Sequence, residues 1–256
     1  MSAALEVRGV GKNYGPLHVL REVDFTVGTG EIFAVIGPNG AGKTTLFRVL
    51  TGEAASNGGS VRLHGEDITR LTVAERVHRG VGRTFQVARI FPEFTALQNV
   101  AVAIEARRRF PGQPRARHWN WRPDPAVVAE ARAQLDDLGL SSRTEVQARL
   151  LSHGDRKRLE FALMLSLRPS ILMLDEPMAG TAADDRQTMA ELILKVRRER
   201  QVTVVMTEHD MDVVFSLADR VMVLNYGQVI AVGEPQAVRR DDKVREVYLG
   251  REASHA

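Results

Sequence analysis

The stretch GPNGAGKT at residues 37–44 has the residue types and the spacing that suit the binding of phosphate. Glycines at three of its positions permit the tight turns that aim backbone N–H groups at an anion: Gly37, Gly40 and Gly42. The positions between them are expected to line the same ligand: Pro38, Asn39 and Ala41. A bare match to this pattern arises by chance in roughly one chain in a hundred of this length, so the flanking sequence has to decide.

Three polar residues at the end of this stretch each suit one part of a nucleotide. Lys43 is expected to reach the β- and γ-phosphates. Thr44 is expected to place its hydroxyl on Mg²⁺, and Thr45 to support the α-phosphate. A helix predicted to begin at Lys43 adds its positive N-terminal end, which favours an anion.

Two adjacent carboxylates form a second candidate group. Asp175 and Glu176 follow the apolar run 171–174, which predicts a buried strand that ends where ligands bind in open α/β sheets. Adjacent carboxylates in a loop are usually solvated charges. Because the chain also has a phosphate loop, we interpret Asp175 as reaching toward Mg²⁺ and Glu176 toward the attacking water.

Two further polar residues lie at the ends of predicted strands. Gln86 closes the short run 81–86, and His209 follows the β-branched run 202–207. A lone glutamine is usually a surface residue, and a lone histidine at such a place more often has a structural role. Their placement in a chain with a phosphate loop makes both candidates for the nucleotide site.

The phosphate loop needs a strand and a helix to hold it, and the sequence supplies both. Residues 32–36 are apolar and partly β-branched, as in a strand buried on both faces, and residues 43–50 resume helical spacing. Later helical and strand patterns alternate, which predicts a parallel sheet flanked by helices. The predicted helices after residue 50 are 72–80, 95–109, 125–137, 152–169, 184–200 and 209–218, and a hairpin is predicted at 221–233.

Two strand-like runs precede the phosphate loop. Residues 5–10 and 19–27 are separated by a turn-rich connection with Gly15 and Pro16, which predicts an antiparallel hairpin. Tyr14 lies in that connection. Because an exposed aromatic ring can stack on a purine, we expect Tyr14 to contact the base of a nucleotide held by the loop.

The segment 107–122 differs from the rest of the chain in composition. It holds six arginines, both tryptophans and no acidic residue, and its prolines exclude a long helix. A solvated surface loop and a docking surface for an anionic or membrane-embedded partner both agree with this composition. Nucleic acid is the weaker alternative, because the formal net charge of the chain is only +3.

Composition bounds the remaining classes of protein. The 256 residues suffice for one large domain or for a core with an inserted subdomain. The absence of cysteine excludes disulfides and thiolate chemistry. Glu6 and Arg8 stand where a signal peptide needs an apolar core, and no run approaches the ~18 apolar residues of a membrane span. We therefore expect a cytoplasmic protein.

Together these motifs resemble those of the ATP-binding subunits of ABC transporters, over residues 5–250. GPNGAGKTT is similar to the Walker A motif, and ILMLDE is similar to the Walker B motif with its catalytic glutamate. Gln86 corresponds to the Q-loop and His209 to the H-loop. LSHGD at residues 151–155 resembles the family signature, which other phosphate-loop enzymes lack.

The resemblance implies an α/β fold with a RecA-like P-loop NTPase core, an N-terminal antiparallel β-subdomain and an α-helical subdomain inserted at about 87–168. All three parts would form a single ABC ATPase domain over residues 1–256. ATP and Mg²⁺ are the implied ligands, and the implied reaction is in-line attack of water on the γ-phosphate. Glu176 would act as general base, His209 would bridge it to the γ-phosphate, and Gln86 would sense the metal and the membrane partner.

The signature has a further implication. Ser152 and Gly154 would contact the γ-phosphate held by a second ATP-binding subunit, a paralogue or another copy of this chain, in a head-to-tail dimer. Three positions depart from the common family pattern: His153 and Asp155 in the signature, and Thr181 where many members have aspartate. These departures bear on communication between subunits rather than on ATP hydrolysis.

Several segments are similar to the ATP-binding subunits of branched-chain amino acid importers, among them GRTFQVARIFPEFTALQNV, TEHDMDVV and the closing YLG. The implied function is to power uptake of branched-chain amino acids or related small polar solutes through separate transmembrane permease subunits. A solute-binding protein would take part indirectly, and nucleic acid would not. The implied location is the cytoplasmic face of the inner membrane, as a peripheral protein.

The resemblance also agrees with other functions. Importers of urea, amides and aromatic acids, and exporters of lipopolysaccharide, have closely similar subunits. A soluble ABC scaffold is a further alternative, which co-purification with permeases would discriminate. A P-loop kinase does not agree with the sequence, because the chain has the ABC signature and lacks a motif for an acceptor substrate.

Overall fold

The computed structural model describes residues 2–83, 90–109 and 124–249. Gln86 lies outside these ranges, and so do residues 110–122 of the segment rich in arginine and tryptophan. Within the described ranges the chain forms two β-sheets, with helices packed on the larger one.

The N-terminal part forms a four-stranded antiparallel sheet within the described ranges, in the order β2-β1-β4-β5. Its strands are β1 (Ala3–Tyr14), β2 (Leu17–Gly28), β4 (Gly58–Leu63) and β5 (Glu66–Asp67). Between β2 and β4 the chain contributes β3 (Ile32–Ile36) and helix α1 (Lys43–Leu50) to the nucleotide core. The predicted antiparallel β-subdomain is confirmed.

The hairpin between β1 and β2 is tighter than predicted. Tyr14 pairs with Leu17, so only Gly15 and Pro16 connect the strands. Gly15 takes a left-handed conformation with φ of 58°, which a glycine adopts without strain. The placement of Tyr14 in a loop was therefore wrong, because strand pairing continues to the edge of the turn.

The second half of the chain alternates helices and strands. Its first elements are α2 (Val73–His78), β6 (Val81–Arg83), α3 (Ala96–Arg108), α4 (Pro125–Asp137), α5 (His153–Ser166) and β7 (Ile171–Asp175). They are followed by α6 (Ala183–Arg200), β8 (Thr203–Thr207), α7 (Met211–Leu217), β9 (Arg220–Asn225), β10 (Gln228–Gly233), α8 (Pro235–Arg240) and α9 (Asp242–Leu249).

The larger sheet has six strands among the described residues, in the order β10-β9-β3-β8-β7-β6. Strands β9, β3, β8, β7 and β6 are parallel to one another, and β10 pairs antiparallel with β9. This confirms the predicted parallel sheet and the predicted hairpin at 221–233. The carboxyl ends of β3, β7 and β8 therefore meet at one edge, where the candidate site residues follow.

Two helix boundaries show what local sequence does and does not determine. Ser152 caps α5 as predicted, since its Oγ accepts a hydrogen bond from Asp155 N at 3.0 Å. The predicted helix 209–218 begins later, because Asp210 rather than His209 is its N-cap. Asp210 Oδ1 accepts from Asp212 N at 3.1 Å, which leaves His209 in the loop before α7.

Strand β3 lies at the centre of the fold and is buried on both faces. Ile32, Ala34 and Ile36 belong to the hydrophobic cluster shared with helices α3 to α7. Phe33 and Val35 belong to the cluster shared with α1 and the smaller sheet. Because the loop after β3 is anchored from both sides, its position is fixed relative to both sheets.

Arg76 of α2 supports the helix that follows the phosphate loop. Its side chain is fully buried, and its Nη1 donates to Val49 O at 2.8 Å and to Leu50 O at 2.6 Å. Its Nη2 and Nε donate to Thr69 O and Leu71 O. Burial lowers the pKa of Arg76 to about 10, so the guanidinium keeps its charge near neutral pH. One cation thus donates hydrogen bonds to the last two carbonyl groups of α1.

Replacing Arg76 by Met is expected to destabilise the chain by about 3 kcal/mol, because four carbonyl groups, two of them in buried contacts, lose the guanidinium as a donor. Urea unfolding followed by circular dichroism measures this loss. Arg79→Met is the matched control on the same helix, since Arg79 Nε pairs with Glu66 in a largely exposed ion pair. The control should lose less than about 1 kcal/mol. Equal losses in the two variants would show that Arg76 does not support α1.

Candidate functional site

The phosphate loop, residues 37–42, packs closely against strands β9 and β2. A Cβ at Gly37 would lie 2.1 Å from the carbonyl oxygen of Leu224, at the end of β9. Gly42 has a φ of 106°, and a Cβ there would lie 3.0 Å from Val19 O in β2. A side chain at Gly37 would clash with Leu224 O, and one at Gly42 would combine an unfavourable positive φ with a tight contact to Val19 O, so the glycines allow the loop to turn tightly before α1.

Lys43 lies at the centre of the loop. Its side chain is buried, and Nζ donates to Gly37 O at 2.6 Å and to Pro38 O at 3.2 Å. Thr44 is exposed and Thr45 is half-buried in the first turn of α1. The structure therefore brings an ammonium group, a hydroxyl group and a helix N-terminus to one place, which suits a bound phosphate chain.

Asp175 and Glu176 leave the end of β7 beside this loop. Asp175 is buried, and its Oδ1 accepts a hydrogen bond from Thr207 Oγ1 at 2.7 Å. Glu176 has a φ of 50°, an unfavourable conformation for a residue with a side chain. Its N–H donates to the carbonyl oxygen and to the Oγ1 of Thr207, each at 3.1 Å. Strand β8 thus holds Glu176 in a strained conformation.

His209 meets Glu176 across the edge of the sheet. His209 Nε2 and Glu176 Oε1 are 2.6 Å apart, with the carboxylate as acceptor. Both side chains are partly accessible to solvent. The sequence placed these residues 33 positions apart, and the parallel neighbours β7 and β8 bring them together. A carboxylate oriented by a histidine next to a phosphate loop suits the activation of water.

The oxygen donors near the loop suit a hard cation. Thr44 offers a hydroxyl and Asp175 a carboxylate, which are ligands that Mg²⁺ accepts. Among the residues that the structure describes, no group of three or more His, Cys, Asp or Glu side chains could hold a metal. This donor set fits Mg²⁺, because the ion is usually bound by one or two protein oxygens together with phosphate oxygens and water.

A cationic side chain lies behind Asp175. Arg83, the last residue of β6, has its Nη2 3.9 Å from Asp175 Oδ2, and its Nη1 donates to Thr51 Oγ1 at 3.0 Å and pairs with Glu53. Arg83 therefore connects β6 to the carboxylate at the end of β7 and to the residues that follow α1.

The signature residues lie at the start of α5. Ser152 is exposed, whereas Gly154 is buried against α6. A Cβ at Gly154 would lie 2.4 Å from the carboxylate of Asp185, so a larger residue there would have to displace that carboxylate. Asp155, one of the departures from the family pattern, is buried and pairs with Arg158 and Arg143 of its own chain.

Two other predicted residues have well-defined surroundings. Tyr14 is 44% exposed at the end of β1, and Lys12 Nζ lies 5.0 Å from the centre of its ring. Arg107 had been assigned to a possible docking surface. In the structure its Nη2 pairs with both carboxylate oxygens of Glu130 at 2.9 Å, and its Nη1 donates to Ser166 O at 2.6 Å. Arg107 therefore joins α3 to α4 and α5, and it does not form a free surface.

Sequence reasoning missed Thr207, Glu208 and Asp185. Thr207 holds both Asp175 and Glu176, and Glu208 accepts a hydrogen bond from Met178 N. The signal for the first two was a polar pair directly after an apolar strand, next to the candidate His209. For Asp185 the sequence carries no signal, because its contact with Gly154 joins two helices.

The loop, the sheet edge and the carboxylate–histidine pair define a P-loop protein that hydrolyses nucleotides. Residues 20–179 match the family model described as ABC transporter, and residues 228–254 match the model described as branched-chain amino acid ATP-binding cassette transporter. The chain belongs to the ABC transporter family and is an ATP-hydrolysing member of it.

Similar proteins and structures cover nearly the whole chain. BraF of Pseudomonas aeruginosa, a high-affinity branched-chain amino acid transport ATP-binding protein, is 37% identical over 96% of this chain and 97% of its own. LivG of Escherichia coli strain K12, described in the same words, is 35% identical over 96% and 97%. The ADP conformation of MJ1267, an ATP-binding cassette of an ABC transporter, superposes with a TM-score of 0.85 at 30% identity, covering 98% of this chain and 100% of that one.

None of the described helices has both the length and the apolar character needed to cross a membrane.

Substituting Gly37 by Ala is expected to lower the affinity for ATP at least about 10-fold, because the new Cβ pushes the loop away from Leu224 and displaces its N–H groups. Calorimetric titration with ATP measures the affinity. Gly58→Ala is the control, since a Cβ there meets nothing within 4 Å. Unchanged ATP affinity in Gly37→Ala would show that the loop conformation does not determine binding.

Proposed function

We propose that the chain is the ATP-hydrolysing subunit of an importer that takes up branched-chain amino acids or related small polar solutes. The observation that carries this proposal is the match of residues 228–254 to the branched-chain amino acid transporter model, together with the similarity to BraF and LivG. The described part of this range forms β10, α8 and α9; these elements contact one another, and β10 and α8 also contact β9. The matched segment thus contributes one strand to the larger sheet and two helices beside it.

ATP would bind with its phosphates in the loop at residues 37–45. Lys43 would exchange its two carbonyl partners for the β- and γ-phosphates, while Tyr14 would stack on the adenine. Thr44, Asp175 and Gln86 would hold Mg²⁺, directly or through water. When bound, that ion neutralises negative charge on the phosphate oxygens.

Glu176 would orient the attacking water and accept its proton. Its strained backbone is held by Thr207, and its carboxylate is held by His209 at 2.6 Å, so the base has a defined position before ATP arrives. His209 would also reach the γ-phosphate. Lys43 would stabilise the charge that develops on the phosphate as water attacks.

A second ATP-binding subunit would complete each site. Ser152 is exposed at the N-terminus of α5, an end of a helix that favours an anion. We propose that Ser152 and the backbone at Gly154 contact the γ-phosphate held by the other subunit, in a head-to-tail dimer. The other subunit would be a paralogue or a second copy of this chain.

Permease subunits would bind a groove beside the site. The groove has a volume of about 290 Å³ and lies between α2 and β6 on one side and α3 and α5 on the other. Its lining is largely apolar, and Phe91 in it is 48% exposed. Arg83 lies in the groove and 3.9 Å from Asp175, so an occupant of the groove would contact a residue next to the metal site. This assembly would place the chain at the cytoplasmic face of the inner membrane.

Replacing Glu176 by Gln removes the proton acceptor and keeps the size of the side chain. ATP should bind with nearly unchanged affinity, and hydrolysis should slow at least ~100-fold. Phosphate release and binding of a fluorescent ATP analogue measure the two effects. Glu191→Gln, an exposed position on α6, should behave like the wild type. Wild-type hydrolysis by Glu176→Gln would remove Glu176 from the mechanism.

The identity of the transported solute can be tested with the assembled complex. The chain is purified with its permeases in lipid vesicles, and a solute-binding protein loaded with leucine, isoleucine or valine is added. We expect these amino acids to stimulate ATP hydrolysis, and urea or sulfate to have no effect. Stimulation by another solute class alone would contradict the assignment to branched-chain amino acids.

A further inference from the structure

Glu208 is a buried acid at the candidate site to which no role has yet been given. It lies between Thr207, the last residue of β8, and His209, and it is only 4% exposed. Burial raises the pKa of its carboxyl group above the ordinary value. Acidic side chains are rarely buried unless hydrogen-bond donors surround their oxygens, so the donors around Glu208 account for its burial.

Each carboxylate oxygen of Glu208 accepts a hydrogen bond from a different loop. Oε1 accepts from Met178 N at 2.9 Å, and Oε2 accepts from His209 N at 3.3 Å. Met178 is itself buried, two residues after Glu176. A single side chain therefore joins the loop that carries the proposed base to the loop that carries the histidine.

The connection continues into the segment 178–181. Met178 O accepts a hydrogen bond from Thr181 Oγ1 at 2.7 Å, and Thr181 N–H is directed at the same oxygen at 3.4 Å. Thr181 is the position where many family members have aspartate. A continuous series of hydrogen bonds thus runs from Thr181 through Met178 and Glu208 to the backbone of His209.

We propose that Glu208 is a positioning residue that holds Glu176 and His209 in their mutual orientation and couples that pair to the segment 178–181. A shift of this segment would move Met178 N–H, and the Glu208 carboxylate would carry the shift to His209. The proposal rests on the proposed roles of Glu176 and His209 in hydrolysis. Glu208 itself touches neither the nucleotide nor the attacking water in this account.

The test is steady-state ATP hydrolysis by the full chain with Glu208→Leu. Leucine fills the space and accepts no hydrogen bond, so the hydrogen bonds from Met178 N and His209 N are lost. We expect kcat to fall about 10- to 100-fold, because small misplacements of catalytic groups are costly. KM for ATP should stay within about twofold, since the phosphate loop is untouched.

Glu208→Gln tests the same point with less risk to folding. Its amide oxygen can keep the bond from Met178 N, but its NH₂ group then faces the N–H of His209. We expect kcat to fall about three- to tenfold, as for the loss of one hydrogen bond. Wild-type kcat in Glu208→Gln would overturn the proposal even if Glu208→Leu did not fold.

Two further comparisons distinguish positioning from general stability. Gln134→Leu removes a similarly buried polar side chain in α4, remote from the two loops, and should keep wild-type kcat. The double variant Glu176→Gln with Glu208→Leu should be little slower than Glu176→Gln alone, because both changes act on the same Glu176–His209 pair. Multiplying effects would overturn the positioning role. A wild-type rate in Glu176→Gln alone would instead contradict the proposed mechanism.

Discussion

The contact between the phosphate loop and the end of β9 is the constraint on which the rest of the site depends. Gly37 lies so close to the carbonyl oxygen of Leu224 that no side chain fits, and Gly42 combines a positive φ with a tight contact to β2. The loop is therefore fixed against both sheets, and the direction of its N–H groups follows. Lys43, Thr44 and the N-terminus of α1 take their positions from this packing.

Much of the site was predictable because it is encoded in short local patterns. The strand β3, the glycines after it and the carboxylates after β7 all follow from apolar runs and turn residues, and the parallel sheet follows from their order. The contacts between strands were not predictable from local patterns: nothing near Glu176 in the sequence indicates Thr207, and the pairing of Glu176 with His209 was expected only from the resemblance to the family. Because of the left-handed turn at Gly15, Tyr14 lies at the end of a strand and not in a loop. Because Asp210 caps α7, His209 lies in the loop before the helix and not in its first turn. The sequence does not predict the ion pair of Arg107, because its partner Glu130 lies 23 residues away.

Two of the departures from the common family pattern have a physical explanation in the fold. Asp155 turns its carboxylate to Arg158 and Arg143 within its own chain, and Thr181 turns its hydroxyl to Met178 O. Both residues therefore support the chain that carries them. Ser152 and His153 are the exposed residues of the signature, and we propose that Ser152 contacts the nucleotide of a second subunit.

The most direct test of this account mixes two inactive variants. Lys43→Ala lacks a competent phosphate loop, and Ser152→Arg lacks a competent signature, so neither should hydrolyse ATP alone. If each site combines the loop of one subunit with the signature of another, each mixed dimer should have one competent site, so the mixture should recover at most one competent site per dimer and its rate should rise with concentration. Full activity of Ser152→Arg alone, at a rate strictly proportional to its concentration, would contradict the account, because one chain would then complete its own site.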